Sequence, residues 1–277
     1  MNDKPQLPLQ GKRIVVTGGT SGIGQAVAVK LAEQGASVLI HGRALSSRSD
    51  NVLEQLRSTS TAIGDQDAVH FASFADFGGD LDWQAWVDQV WDQLGPCDGW
   101  INNAGGDVLT NEWTECSLAD KLDYLWRVDV RATLMLSRAV GARMIDDVQA
   151  ADLPAGSKTI INVGWDQAAQ GMAGDSGELF AATKGAVMAM TRSLAQSMAP
   201  HVRVNCVAPG WIKTKWGEST SDYWDQRARS ESLMQRWGTA EDVANAMLFL
   251  CLPSSGFVSG QVLPVNGGFR MGDQKKS

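Results

Sequence analysis

Short apolar runs alternate with longer stretches in which apolar residues recur every three or four positions. That alternation predicts an α/β fold: a single doubly wound Rossmann-type domain, with a parallel sheet of seven strands and helices on both faces. Residues 13–17, 37–40, 68–71, 99–101, 158–163, 202–207 and 261–264 read as strands. In the first helix Ile23, Val27 and Leu31 share one face, Gln25, Lys30 and Glu33 lie elsewhere, and Gly35 ends it. Residues 51–57 predict a short helix. Residues 81–94 predict another, carrying Trp83, Trp86, Val87, Val90 and Trp91 and closed by Gly95-Pro96. Long helices are expected over 117–145 and 177–198, the second stopped by Pro200, and a last one over 240–252. Residues 211–238 are polar and rich in Trp, which predicts a mobile, lid-like segment. With no internal repeat or low-complexity linker, one domain is expected, residues 1–10 and 270–277 forming its tails.

Composition narrows the function classes. A chain of 277 residues that is 44% apolar can bury a large core. Its net charge of −7 argues against a sequence-independent nucleic-acid binder, which needs a cationic face. No apolar run reaches the length of a membrane span, and Met1 to Gln10 lack the apolar centre of a signal peptide. Cys97, Cys116, Cys206 and Cys251 have neither metal-ligand nor redox spacing, so no metal is expected and a reduced, cytoplasmic protein is the simplest reading. Eleven Trp stand against two Tyr. Core and interface filling is the first explanation. A ligand pocket or partner surface built from Trp211, Trp216, Trp224 and Trp237 is the second.

The densest chemical signal is Thr17-Gly18-Gly19-Thr20-Ser21-Gly22-Ile23-Gly24, between the first strand and the first helix. Glycines there allow a tight turn and close approach of backbone to a pyrophosphate, and the helix N-terminus adds amide donors and partial positive charge. The spacing Thr-Gly-x3-Gly-x-Gly resembles that of the short-chain dehydrogenase/reductase family. Asn102-Asn103-Ala104-Gly105, Arg203-Val204-Asn205 leading to Pro209-Gly210 and Thr214, and Asn266-Gly267-Gly268 carry the same resemblance. It spans about residues 11–269. It implies an NAD(P)-dependent oxidoreductase acting on a small carbonyl or alcohol, commonly a homotetramer or dimer built across its two long helices.

Carried over position by position, the resemblance sets Gly18, Thr20, Ser21, Gly22, Ile23 and Gly24 around the pyrophosphate and adenosine ribose. It sets Asp76 and Phe77 at the adenine, and Asn102, Ala104 and Gly105 along the ribose side. Pro209, Gly210, Ile212 and Thr214 face the nicotinamide. The alternative for Asp76 is a solvated loop acid. After the second strand an acid would bind both ribose hydroxyls and repel a 2′-phosphate. This chain has His41-Gly42-Arg43 instead, with Ser46 and Arg48 close by. Arg43 can fork onto a phosphate, so NADP(H) is preferred. If Arg43 only stacks on adenine, NAD(H) is possible.

The reacting positions depart from the family. Its tyrosine, four residues before a lysine, donates the proton, and the lysine binds the nicotinamide ribose and lowers the phenol's pKa. Here Lys184 is kept and Phe180 stands at the tyrosine position. The serine position falls on Trp165 in Ile160-Ile161-Asn162-Val163-Gly164-Trp165, and the helical asparagine on Asp129. An indole offers one donor and no acceptor. Asp166 is a possible substitute acid if desolvated. Tyr223 in the presumed lid is another, and Asp175 and Glu178 read as charges complementing a helix N-terminus. Two functions follow: an oxidoreductase with an altered site, or an NADP(H)-binding pseudoenzyme acting as sensor or scaffold.

Overall fold

The computed structural model describes residues 7–214 and 220–269. Seven strands form one all-parallel sheet: β1 (Arg13–Val16), β2 (Ser37–Gly42), β3 (His70–Phe74), β4 (Gly99–Asn102), β5 (Lys158–Val163), β6 (Val202–Pro209) and β7 (Val262–Val265). Their order across the sheet is β3-β2-β1-β4-β5-β6-β7. Alternation within each strand sorts the core. Val15 and Leu39 point to one face, packed by α3 (Trp83–Leu94), α5 (Ala132–Ala150) and α6 (Asp175–Met198). Ile14, Val16, Val38 and Ile40 point to the other, covered by α1 (Gly22–Glu33), α2 (Ser47–Ile63) and a C-terminal helix, Ala240–Cys251.

Chain order reverses between β1 and β4, so the loops leaving those strands diverge and open a crevice at the strands' carboxyl ends. One buried polar ladder sets the geometry there, and a second polar contact braces the amino ends of β2 and β3. Trp100 Nε1 donates to Asn102 Oδ1 at 2.9 Å, Asn102 Nδ2 to Asn162 Oδ1 at 2.8 Å, and Asn162 Nδ2 to Thr191 Oγ1 at 3.0 Å. This ladder fixes α6 against β4 and β5. On the other side of β1, Ser60 Oγ and His70 Nε2 lie 2.8 Å apart, and His70 Nδ1 accepts from the Val38 amide.

Several elements differ from expectation. The helix expected over 51–57 runs for 17 residues. Its buried stripe is Ser49, Val52, Leu56 and Ser60, so half of it is polar and invisible to an apolar-periodicity reading. Ser46 starts it through a reciprocal cap with Ser49. The helix expected over 117–145 is α4 (Leu118–Leu125), a π-helical turn (Trp126–Arg131) and α5. The expected lid contains α7 (Asp222–Glu231); the C-terminal helix, Ala240–Cys251, is therefore α8. The base of this segment is pinned by backbone bonds from Lys213 to Gly238 and from Gly238 to Trp211. Trp216, residues 1–6 of the expected N-terminal tail and the whole expected C-terminal tail lie outside the described residues. Trp83, Trp86, Trp91 and Trp100 fill the core, the first of the two explanations for so many indoles.

Candidate active site and cofactor cleft

At the exit of β1, Gly18 and Gly22 adopt φ of +62° and +54°, a region that favours glycine. A Cβ on Gly24 would overlap the Gly18 carbonyl oxygen, so the turn closes only with glycine there. Helix α1 begins after Ser21 without a side-chain cap and without an acid in its first turn, leaving its amides free for an anion. Asn103 clamps this turn, donating from Nδ2 to the carbonyls of Thr17 and Gly18 at 3.0 and 3.2 Å. Thr17 Oγ1 in return accepts from the Asn103 and Ala104 amides. Sequence reading passed over Asn103, although it sits inside the Asn-Asn-Ala-Gly run.

Asn102 itself is spent below the crevice. Its side chain is buried and bonded within the ladder, so only its backbone is available to a ligand. The Phe77 ring is likewise in the core, stacked on His41 with centroids 4.0 Å apart. Any ligand contact at 77 therefore falls to the main chain. Asp76 is exposed and accepts from the Gly78 amide at 2.9 Å. Thr20 packs against Gly42, and Arg43 and Arg48 are exposed at the end of β2 and the start of α2.

One cleft of about 450 Å³ is lined by Ser21, Gly22, Arg48, Gly106, Asp107, Leu109, Phe180 and Thr214. That volume suits a small-molecule ligand. It brings the glycine turn together with the position four residues before Lys184. Ile23 and Ile212 are packing residues beside it, in the core formed with α1 and α8. Pro209 is buried at the end of β6, and the Gly210 amide donates to the Val265 carbonyl. Gly106, Asp107 and Leu109 carried no sequence signal, because their place depends on where the loop after β4 folds back.

Lys184 and Asp129 meet at 3.2 Å, with the aspartate side chain fully buried. Asp129 Oδ1 accepts from the Gly106 amide at 2.7 Å, and Lys184 Nζ donates to the Val163 carbonyl at 3.4 Å. Asp129 Oδ2 has no aligned donor, so its contact with Lys184 is ionic rather than a hydrogen bond. The π turn points Asp129 inward, a placement that regular helical spacing did not anticipate. Gly105 lies against both charges.

Trp165 and Phe180 are half-buried, their rings 6.3 Å apart and 65° inclined. The Trp165 backbone is extended, so the next side chain turns to the other side. Asp166 accordingly contacts Asn266, which donates to it at 3.1 Å, and lies against Gly210. Burial pushes its carboxyl up to about 6, against the pull of the Asn266 bond and with a further push from the Glu231 charge. One residue on, Gln167 Nε2 donates to Glu231 Oε2 at 3.4 Å, and Trp211 Nε1 donates to the same oxygen at 2.8 Å. Arg227 bonds Glu231 and lies over the Trp211 and Trp224 rings. Tyr223 is exposed on α7; Tyr124 packs against Gly106 and stacks on Trp113.

The doubly wound sheet, the clamped glycine turn and the lysine facing the same crevice define a dinucleotide-binding oxidoreductase domain. Residues 18–270 match a family model described as enoyl-(acyl carrier protein) reductase. Cyclohexanol dehydrogenase of a Rhodococcus strain is 33% identical, over 95% of this chain and 97% of its own. A Burkholderia cenocepacia short-chain dehydrogenase solved in complex with NADP is 31% identical, superposes with a TM-score of 0.77 and is covered over 98%, against 94% of this chain. A 7α-hydroxysteroid dehydrogenase solved with NADH and a bile-acid ligand gives 0.81 at 28% identity, over 97% of this chain and 98% of that one. The chain belongs to the short-chain dehydrogenase/reductase family. No helix among the described residues is long and apolar enough to cross a membrane.

The two core histidines make stability depend on acid. Burial holds both His41 and His70 down to about 4 from a usual 6.5. Between those values the unfolded chain takes up protons that the folded protein refuses, so stability is full above about pH 6.5 and falls as pH drops toward 4. Asp166, raised to about 6, works in the opposite sense and offsets part of the loss. Chemical denaturation at pH 5 should therefore need less denaturant than at pH 7.5. A variant with both histidines changed to asparagine should show a shallower pH slope.

Proposed function

We propose that the protein is an NADP(H)-binding oxidoreductase-family member whose reacting end is non-standard. The observation that carries this reading is the lining of one cleft. Ser21 and Gly22 come from the glycine turn, Arg48 from α2, Thr214 from the loop after β6, and Phe180 stands where the family's phenol would be. Residues 18 and 20–24 hold the pyrophosphate side and Asp76 the adenine. Ala104 and Gly105 flank the ribose, and Pro209, Gly210, Ile212 and Thr214 border the nicotinamide. A bound nicotinamide cofactor supplies or accepts hydride. Phe180 and Trp165 offer a substrate oxygen no phenol and no serine hydroxyl, only ring faces and one indole N–H. Lys184, paired with Asp129, orients a ribose and has no phenol to activate.

Asp166 adjoins Trp165 and its carboxyl is raised to about 6, but its bonds turn toward Asn266. A water is therefore the simpler proton source. Incubation with NADPH and a panel of small carbonyls, followed by cofactor absorbance, tests the enzyme reading. Turnover that disappears in Lys184→Ala supports it.

Exposure of Arg43 and Arg48 beside the uncapped glycine turn favours NADP(H) over NAD(H). A charge-assisted bond to a 2′-phosphate contributes about 1.5–3 kcal/mol. Arg43→Ala should thus weaken NADP(H) binding roughly tenfold or more and leave NAD(H) nearly unchanged in calorimetric titration. Equal losses for both cofactors would remove the argument.

The second reading, a sensor or scaffold with little turnover, rests on the bonds joining Gln167, Trp211 and Arg227 at Glu231. They tie α7 to the exit of β5, a route by which cofactor occupancy reaches the lid. Tight binding without turnover on any carbonyl would favour it. Either reading takes the protein as a cytoplasmic homo-oligomer, a tetramer or dimer, with residues 211–238 as its lid.

A further inference from the structure

We infer that His41 is the positioning residue that holds the glycine turn and the adenine-side loop in register, as one neutral imidazole bonded to both. This rests on the cofactor reading above. Nδ1 of His41 accepts from the Gly18 amide at 3.3 Å. Its Nε2 lies 2.9 Å from the Ala75 carbonyl oxygen. An amide nitrogen can only donate and a carbonyl can only accept, so Nε2 carries the hydrogen and Nδ1 is bare. Its own carbonyl accepts from the Gly19 amide at 2.9 Å. The ring stacks on Phe77 within 4° of parallel, and Trp86 of α3 meets it edge-on.

One residue therefore bonds the turn at Gly18 and Gly19 and the segment Ala75–Phe77, the two sides between which an adenosine would lie. Neither contact is replaceable by water, because the ring is buried. Gly18 has no slack either: a Cβ there would stand 2.9 Å from the Ala104 Cα. The charged group facing the ring is Asp76, from the loop after β3, and Arg43 follows two residues on, just past the end of β2. From α3 it meets Trp86, and from the turn a backbone amide. A second proton on Nδ1 would set N–H against N–H and release Gly18. Burial keeps the ring neutral well below its usual range.

The test compares His41→Phe, His41→Asn and His41→Gln, each titrated with NADP and with NAD and each melted. Phenylalanine keeps the stack and removes both bonds. The asparagine amide oxygen reaches the Nδ1 place, and glutamine reaches only the Nε2 place. Both cofactors should bind about tenfold more weakly to His41→Phe. Binding to His41→Asn should recover to within about threefold of the native protein, and binding to His41→Gln should not, whatever the melting temperatures do. If His41→Phe does not fold, the asparagine–glutamine comparison decides. Nitrogen-15 spectra of the native protein at pH 6 should show His41 neutral and protonated on Nε2. Native affinity in His41→Phe, equal losses in the asparagine and glutamine variants, or a doubly protonated His41 at pH 6 would overturn the assignment. Native protein that binds neither cofactor sinks the functional reading instead. Loss of NADP preference alone touches Arg43 and leaves His41 standing.

Discussion

Phe180→Tyr combined with Trp165→Ser should raise carbonyl reduction by at least about a thousandfold over the native protein. A positioned general acid contributes ~10²–10⁴ and a donor to the developing oxyanion ~10²–10³, not strictly additively. The surroundings are already in place. Phe180 lines the cleft with Thr214, and Lys184 is one helical turn away with its charge beside Asp129. A phenol at 180 would thus acquire a cation able to lower its pKa from about 10. Removing the Trp165 indole empties the space its ring fills against Phe180. Each single variant should gain much less, because Tyr alone still faces an indole and Ser alone still lacks an acid. The measurement is NADPH consumption with a panel of ketones and aldehydes. A double variant that folds, binds cofactor and stays silent across that panel would show that 165 and 180 are not the serine and tyrosine positions.

Lys184→Met should cost about 3–5 kcal/mol of stability and lower cofactor affinity at the same time. Asp129 is fully buried, and its Oδ2 has only the lysine for company. Leaving a buried carboxylate without its cation is among the more destabilising single changes. For a chain of this size that corresponds to a melting temperature roughly ten degrees lower. Asp129→Asn should be far milder, since the amide oxygen still accepts from Gly106 and the lysine can reach Val163 and solvent. Calorimetric melting of both variants separates the outcomes. Equal, small losses would mean that the pair contributes little and that water already reaches Asp129.

Much of the fold was legible because period and punctuation agreed. β5 was read to the residue, and β1 and β2 were read from their true first residues, missing their ends by one and two. The failure at α2 has a clear cause: polar groups doing the packing. Ser49 and Ser60 hid most of α2, and only a partner in space, His70, makes Ser60 a buried residue. The π turn at Trp126–Arg131 has no compositional mark. In the cleft, the residues on the glycine turn carried their own signal, whereas Gly106, Asp107 and Leu109 did not. Asn102 and Phe77 fell inside recognisable motifs, yet their side chains point into the core, because a motif marks a stretch of backbone and not the direction of each side chain. His41 was read for the acid it is not, and its bonds to Gly18 and Ala75 needed three strands to be placed first.

The amide ladder from Trp100 through Asn102 and Asn162 to Thr191 runs wholly beneath the cleft floor. It aligns α6 without touching Phe180, Lys184 or Trp165. Aim and ammunition are therefore separable in this molecule. Exchanging the groups at the cleft mouth alters what can react there, while the direction in which α6 presents them is held by amides that no substrate meets. Such an arrangement lets a lineage lose, change or regain a chemistry by a few surface-facing substitutions, with the mount that would make the regained groups effective still intact.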